Sequence, residues 1–330
     1  MKFTFNVLIV DDDEAHIELI QRAFEAHRAS FNLSIRSNLA SAVYYLKNNV
    51  PDIVLCDWLL PDGTGTELLT PRREDSRFPV VLMTSHGNEE LAVGAIKAGA
   101  LDYIVKSPET FANMPDFVVR AHREWEHIIA RHKAEVKLQQ VLLQTVESLS
   151  MMVEKRDPYT AGHQKKVCQL ACAISNDMNL DEKTQSGIYI ASILHDIGKI
   201  SIPAEYLSKP GLLDPNEFTI IKSHPQVAYE MLKSIDFDFP IANIVKQHHE
   251  KCDGSGYPDG LKAPAILLEA RIITVADVVE AISSHRPYRP ALGIDVALEE
   301  ISINSGKLYD PNVVKICLEL FNQKRFKFNL

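Results

Sequence analysis

The second half of the chain contains the segment His195-Asp196-Ile197-Gly198-Lys199, which follows an apolar stretch from Ile188 to Leu194. A histidine and an aspartate side by side at the end of an apolar helix offer one metal ion two kinds of ligand, and the carboxylate can also bridge to a second ion. Mg²⁺ prefers oxygen ligands, so a site rich in histidine favours a first-row transition metal. This segment therefore predicts a helical metal-binding domain.

Other histidines of the second half lie in short patterns of their own. His163 follows Tyr159-Thr160-Ala161-Gly162, His224 precedes Pro225, and His248-His249 precedes Glu250 and the loop Gly254-Ser255-Gly256-Tyr257-Pro258. The apolar segment Arg271 to Ile282 carries Asp277, an acid whose burial is unfavourable unless it is paired or metal-bound. A lone buried histidine is usually a core residue, and that alternative stays open for His163 or His224 taken singly.

From about residue 150 to 325 the chain resembles the HD-GYP domain, a helical metal-dependent phosphohydrolase that degrades cyclic di-GMP. The matching segments are YTAGH, HDIGKISIP, the lysine-proline-glycine at Lys209 to Gly211, SHP, HHEKCDGSGYPDGL, RIITVADVVEAI and HRPYR. So many segments in the family's order and spacing make the match specific. The resemblance implies an enzyme that hydrolyses cyclic di-GMP to linear pGpG and/or GMP.

The same resemblance implies roles for individual residues. The metal ligands would be His163, His195, Asp196, His224, His248, His249 and Asp277. Asp196 would bridge two metal ions and act in catalysis with Lys199, while Tyr257, Arg286 and Arg289 would contact the substrate. Two ions, Fe or Mn, are expected rather than three, because Tyr159 stands where some members have a glutamate that binds a third.

Three positions depart from the family pattern. Glu280 stands where aspartate is usual, Cys252 where tryptophan is common and Ala228 where glycine is frequent. Cys252 is predicted to fill space, with the alternative that its thiol is an extra soft ligand. None of the three removes a predicted ligand.

The first half contains four short apolar strands, and each ends in a polar residue. These strands are Val7–Val10, followed by Asp11-Asp12; Ile53–Cys56, followed by Asp57; Val80–Met83, followed by Thr84; and Ile104-Val105, followed by Lys106. The carboxyl ends of parallel strands share one edge of a sheet, where sites are built. Clustered carboxylates repel unless a hard cation such as Mg²⁺ binds them. A single Asp at a strand end could serve only to form a turn, but the whole set of polar residues favours a cation-binding site.

Residues 5–122 resemble the receiver domain of two-component response regulators. The resemblance implies an α/β, flavodoxin-like fold with a five-stranded parallel sheet, and a cognate sensor histidine kinase as partner. Asp57 would be the phospho-acceptor, Asp11, Asp12 and Asp57 would bind Mg²⁺, and Thr84, Tyr103 and Lys106 would be the switch residues. Receivers usually have proline directly after the lysine; here Ser107 precedes Pro108, which predicts a different loop geometry.

A helical connector is predicted between the two parts, because Ala112 to Val153 contains no glycine and no proline after Pro115. Two heptad-like stripes run along it: Trp125, Ile129, His132 and Val136, then Leu138, Leu142, Thr145, Leu149 and Met152. The stripe either pairs with a second copy, giving a homodimer, or packs on its own domain. The predicted organisation is a receiver at 1–122, a connector at 123–153 and an all-α HD-type domain at 154–330.

Composition narrows the function classes. The net charge is -9 and no basic stripe is present, which argues against direct DNA binding. The sequence predicts no membrane span and no signal peptide. Its 5 cysteines form no CxxC pair, so a reducing cytoplasm is expected. Two alternatives to the hydrolase stay open: a metal-stabilised receptor or docking module that does not cleave cyclic di-GMP, and an HD-type phosphohydrolase acting on other nucleotides.

Overall fold

The computed structural model describes residues 4–85, 89–156, 162–209, 211–285 and 291–328. The chain divides into two compact units, Met1–Leu138 and Gln139–Leu330.

A parallel sheet forms the centre of the first unit. Its strands are β1 (Phe5–Val10), β2 (Phe31–Arg36), β3 (Ile53–Asp57), β6 (Val80–Thr84) and β7 (Asp102–Val105); a separate antiparallel pair is β4 (Leu59–Leu60) with β5 (Gly63–Thr64). The strand order is β2-β1-β3-β6-β7, and all pairings within this sheet are parallel. The predicted five-stranded parallel sheet is confirmed.

Helices cover both faces of this sheet, so its central strands are apolar throughout. They are α1 (Glu14–Glu25), α2 (Leu39–Asn48), α3 (Glu89–Lys97) and α4 (Pro108–Ala112), with short 3-10 helices at Gly65–Leu68 and Arg73–Asp75. Val7 and Ile9 belong to the core on one face, and Leu8 and Val10 to the core on the other. The alternation follows from the two-residue period of a strand.

Ser107, which separates Lys106 from Pro108, shapes the loop after the lysine. Ser107 caps α4, because its side chain accepts a hydrogen bond from the Thr110 backbone N–H at 3.1 Å, and Pro108 occupies the first turn, where its missing N–H costs nothing. The loop after Lys106 therefore turns directly into a helix.

The connector is one helix, α5 (Met114–Glu154), which confirms the predicted long helix. Its first half packs on the first unit, where Val118 and Trp125 are buried in the core beneath the sheet. Its second half leaves large apolar side chains exposed, including Leu138 at 60%, Leu142 at 57% and Met152 at 63%. The two stripes thus differ. The earlier stripe starts with Trp125 in the core of the first unit, and the later stripe is largely exposed.

The second unit is helical, as predicted. Its helices are α6 (His163–Asp177), α7 (Glu182–Leu194), α8 (Ala204–Leu207), α9 (Pro215–Ile221), α10 (His224–Leu232), α11 (Ile241–Gln247), α12 (Leu268–Ser283), α13 (Ile294–Ile303) and α14 (Pro311–Asn322), with 3-10 helices at Ile197–Ser201 and Ala263–Ala265. The most buried helix is α12, which contacts α6, α7, α11, α13 and α14. Across the described parts of both units, no helix combines the length and apolar character needed to cross a bilayer.

Candidate metal centre

Helix ends bring six side chains of the second unit together around Asp277 of α12. His163 begins α6, His195 and Asp196 follow α7, His224 begins α10, His248 and His249 follow α11, and Asp277 lies within α12. Six of the seven are buried and His249 is half-buried. These are the seven residues that the sequence predicts as metal ligands.

Gly198 allows two of these helix ends to approach. A Cβ at this position would lie 2.0 Å from the backbone oxygen of His224 and 2.8 Å from the backbone nitrogen of Ala228. Any larger residue would push α10 away from the His-Asp segment. The glycine of HDIGK is therefore required for close backbone contact.

The ligand atoms form two groups with a carboxylate between them. His163, His195 and Asp277 make one group, and His224, His248 and His249 the other; within each, the ligand atoms lie within 4.8 Å of one another. Asp196 faces both, since its Oδ2 lies 3.4 Å from His195 Nε2 and its Oδ1 lies 3.4 Å from His224 Nε2. Each oxygen of this carboxylate thus faces a different group.

Hydrogen bonds fix the orientation of the imidazoles. In three histidines Nδ1 contacts the backbone carbonyl three residues earlier, at 2.6 Å for His195, 2.7 Å for His224 and 2.6 Å for His248. A carbonyl only accepts, so Nδ1 carries the hydrogen and the Nε2 lone pair faces the centre. Among the described residues His195 Nε2 has no hydrogen-bond partner, although it is buried. An inward lone pair of this kind fits a metal ion.

His163 is oriented by a carboxylate. Its Nδ1 lies 2.5 Å from Oε2 of Glu280, which is buried, and the other Glu280 oxygen accepts a hydrogen bond from Ser284 Oγ at 2.6 Å. The sequence marks Glu280 only as a departure from the family. The sequence feature that could have indicated Glu280 as part of the site is its position three residues after Asp277, because this spacing places both acids on one face of α12.

Burial favours the neutral form of three of these imidazoles, which is the form that binds metal. It lowers the pKa of His248 to about 3 and that of His224 to about 4, and it holds the pKa of His249 well below its usual range. Burial alone would raise the pKa of Asp196, but the positive charge of Lys199 opposes this effect, and the pKa of Asp196 lies well below its usual value. Lys199 Nζ lies 2.7 Å from Asp196 Oδ2.

The loop of residues 254–261, here called the GYP loop, lies on one side of the centre. The ring of Tyr257 lies 4.8 Å from that of His249, and burial raises the pKa of this tyrosine. Glu250 holds the end of the loop: its carboxylate accepts hydrogen bonds from three consecutive backbone N–H groups, those of Asp259, Gly260 and Leu261, at 2.7, 3.1 and 2.9 Å. Glu250 lies within the motif HHEKCDGSGYPDGL, but the motif alone does not indicate this role.

Some predicted residues are not part of this geometry. Arg286 and Arg289, and Tyr159 at the third-metal position, lie outside the described residues. Cys252 is half-buried and belongs to none of the possible metal-binding groups found in the described part of the chain.

A second cluster lies at the carboxyl edge of the sheet in the first unit. Carboxylate oxygens of Asp11, Asp12 and Asp57 lie within 4.8 Å of one another. Lys106 Nζ lies 2.6 Å from Asp57 Oδ2 and 2.8 Å from Asp11 Oδ2. Burial raises the pKa of Asp57, partly offset by Lys106. The cluster is built at the ends of four adjacent strands, β1, β3, β6 and β7, which supply Asp11, Asp12, Asp57, Thr84 and Lys106.

Thr84 is buried at the end of β6, and its backbone carbonyl accepts a hydrogen bond from the Lys106 backbone N–H at 2.7 Å. Tyr103 is half-buried on β7. The sequence pattern does not single out His16, yet its Nδ1 lies 3.2 Å from Lys106 Nζ. Its proximity could not be anticipated, because it comes from α1 rather than from a strand end.

Two family models match the chain. A response regulator receiver domain matches residues 7–114, and an HD domain matches residues 147–313. The second match alone covers half of the chain.

The chain is also similar in sequence to several known proteins. The chain is 32% identical over 333 residues to the cyclic di-GMP phosphodiesterase response regulator RpfG of Xanthomonas campestris pv. campestris, covering 95% of this chain and 87% of that protein. It is 32% identical over 336 residues to a cyclic di-GMP phosphodiesterase of Thermotoga maritima, covering 95% and 90%. Over 166 residues it is 36% identical to the 3'3'-cGAMP-specific phosphodiesterase 3 of Vibrio cholerae, covering 50% of this chain and 36% of that protein.

Proposed function

This chain belongs to the response regulators that join a receiver domain to an HD-GYP domain, and on that basis we propose that it is a metal-dependent phosphodiesterase that hydrolyses cyclic di-GMP. The observation that carries the proposal is the position of Asp196, with one oxygen toward each of two groups of ligand atoms. The full set of seven ligands would hold two metal ions, with Fe or Mn suited to mixed imidazole and carboxylate donors.

Metal ions bound there would supply Lewis-acid chemistry, holding phosphate oxygens and lowering the pKa of water. The protein's own contribution begins with Lys199, whose ammonium group lies 2.7 Å from Asp196 Oδ2 and adds positive charge where the phosphate would bind. Tyr257 stays a neutral phenol because burial raises its pKa, so its hydroxyl can donate a hydrogen bond to the substrate. Arg286 and Arg289 are proposed as further substrate contacts from the sequence alone.

The products are proposed to be linear pGpG and/or GMP. We assign residues 1–122 to the receiver, 123–153 to the connector and 154–330 to the phosphohydrolase domain. Asp57 is proposed as the phospho-acceptor for a sensor histidine kinase, with Mg²⁺ held by Asp11, Asp12 and Asp57, and with Thr84, Tyr103 and Lys106 responding to the phosphoryl group. The exposed second stripe of α5 is proposed to pair two copies of the chain.

The deciding experiment is hydrolysis of cyclic di-GMP by protein reconstituted anaerobically with Fe²⁺ or Mn²⁺, with the metal content measured in the same samples. We expect turnover in the wild type and a loss of at least about a thousandfold in Asp196→Asn, since charge stabilisation at the reacting centre is lost. The exposed Asp236→Asn is the matched control and should behave as the wild type.

Other outcomes are informative. A fully metallated wild type that binds cyclic di-GMP without cleaving it would contradict the proposal and identify a receptor. A panel that includes 3'3'-cGAMP tests the base preference, because one of the relatives is named for that substrate. Faster hydrolysis of 3'3'-cGAMP than of cyclic di-GMP would keep the reaction class and change the substrate.

A further inference from the structure

A row of rings and one lysine runs from the metal centre to the surface at α9. The ring centres of Tyr257 and His249 lie 4.8 Å apart with the rings tilted by 33°, and Lys222 Nζ lies 5.4 Å from the centre of the Tyr257 ring. The same ammonium group lies 4.7 Å from the ring centre of Phe218, which is 46% exposed. The row therefore begins at a predicted metal ligand and ends at an aromatic face open to solvent.

The ammonium group of Lys222 differs from those of three other lysines in the second unit. Lys199, Lys209 and Lys246 each form an ion pair with a carboxylate, whereas the ion pairs between described residues do not include Lys222. Its contacts are with ring faces, which attract a cation but accept no strong hydrogen bond. Its N–H groups are therefore available to an anionic ligand.

The proposed substrate needs such a group. Cyclic di-GMP carries two phosphodiesters and two guanines, and a metal centre that binds the phosphodiester being cleaved does not itself neutralise the other phosphate. We propose that Lys222 and Phe218 form the subsite for the second half of the substrate, with Lys222 donating to the second phosphate and guanine stacking on Phe218. This inference rests on the proposed function and extends it to substrate recognition.

The chemistry of both residues suits this role. A lysine is a compact point charge that suits a phosphate oxygen, and an exposed aromatic ring stacks on any base. Lys222 also lies only two residues before His224, so the short segment that supplies a metal ligand would supply the second phosphate contact as well. Neither residue is expected to touch the reacting phosphorus, so both would act on binding.

The test compares two substrates in Lys222→Met, which removes the charge and keeps the length of the side chain. For cyclic di-GMP we expect KM to rise about tenfold, the loss of one charge-assisted hydrogen bond, while kcat changes less than about twofold. Hydrolysis of bis(p-nitrophenyl) phosphate, which has one phosphate and no purine, should not change. Phe218→Leu should raise KM for cyclic di-GMP in the same selective way.

Lys233→Met is the matched control. It removes the same charge from the other end of α10, about 13 Å along the helix from His224, where Lys233 already pairs with Glu230. Binding of cyclic di-GMP by calorimetry to EDTA-treated protein gives a readout that does not depend on turnover, and Lys222→Met should weaken it relative to Lys233→Met.

The inference and the proposed function fail in different ways. Equal KM and binding constants in Lys222→Met and Lys233→Met, with an active wild type, would overturn the subsite and leave the function intact. A wild type that binds but does not cleave, with binding weakened only in Lys222→Met, would overturn the function and support the subsite. Equal losses on both substrates would show that Lys222 acts on the metal centre instead.

Discussion

Glu280 is a buried side chain that orients a predicted metal ligand and is not itself one of the predicted ligands. Its carboxylate accepts the Nδ1 hydrogen of His163 at 2.5 Å, which turns the Nε2 lone pair toward Asp196 and Asp277. Carboxylates in this position orient the imidazole and raise its basicity. Lys166 Nζ, 3.7 Å away, adds a positive charge that favours the ionised form of Glu280.

Replacing this carboxylate should weaken metal binding. We expect Glu280→Gln to lower metal affinity by about 10- to 100-fold, because the amide holds His163 less firmly and adds no negative charge. Metal affinity is measured by competition with a chromophoric chelator. Glu280→Asp, which keeps the charge, should retain most of the affinity, and the exposed Glu299→Gln all of it. An unchanged affinity in Glu280→Gln would show that the contact is only structural.

At this scale the sequence indicates the candidate ligands more readily than the residues that orient them. Metal chemistry restricts the seven predicted ligands to two residue types, histidine and aspartate, so a motif indicates them, and the structure brings all seven together. Glu280 contacts a residue 117 positions earlier, and Glu250 binds backbone N–H groups that any residue could supply. Such contacts depend on how helices pack, which no local pattern encodes.

The GYP loop is an element whose shape depends on one carboxylate. Glu250 is 2% exposed and accepts three backbone hydrogen bonds from the end of the loop. Gly256 packs against the segment that supplies it, since a Cβ there would lie 2.4 Å from the Lys251 backbone nitrogen. The loop that carries Tyr257 is thus held to the residue that follows His249.

Removing the charge should loosen this loop. We expect Glu250→Gln to lower the free energy of unfolding by about 3 kcal/mol, because an NH₂ group then faces buried N–H donors. Hydrogen exchange should accelerate at residues 259–261. In the same loop, Asp259→Asn removes an ion pair with Lys246 whose carboxylate is exposed, and should cost less than about 1 kcal/mol. Equal exchange in both variants would contradict the role given to Glu250.

For the connector, the sequence predicts the helix but not the packing of its apolar side chains. The absence of glycine and late proline predicts the continuous α5. The two stripes alone do not indicate which apolar residues pack in the core of the first unit and which remain exposed. Trp125 is 8% exposed in the first unit, whereas Leu142 is 57% exposed. The difference depends on which part of the helix lies beside the sheet, which is a tertiary property.

The exposed stripe should pair with a second copy. We expect Leu142→Glu to convert a dimer into a monomer, since a charge placed in an apolar helix seam opposes association. Light scattering coupled to gel filtration measures the mass. Gln144→Glu adds the same charge on a different face of α5 and should leave the dimer intact. A monomeric wild type at micromolar concentration, or a dimeric Leu142→Glu, would rule out pairing through this stripe.

At the scale of the whole molecule, α5 is a continuous helix with residues in both units. In the first unit Val118 and Trp125 anchor it in the core below the sheet. In the second unit Val153 is part of the core, and Ser150 Oγ donates a hydrogen bond to the carbonyl of Ile193 at 2.7 Å. Ile193 lies two residues before His195. The same helix is therefore held in the core of one unit and beside the HD segment of the other.

Phosphorylation at Asp57 should then change the activity of the metal centre. A phosphoryl group, or beryllium fluoride with Mg²⁺ in its place, adds negative charge beside Lys106, which now lies 2.6 Å from Asp57 Oδ2, and displaces that ion pair. We expect beryllium fluoride to change the turnover of cyclic di-GMP at least about fivefold in the wild type, the usual lower range of allosteric coupling. Asp57→Asn should show no response, while the exposed Asp75→Asn should respond fully. Identical turnover and assembly state with and without beryllium fluoride in the wild type would exclude coupling through α5, because a two-state element must differ between the two conditions.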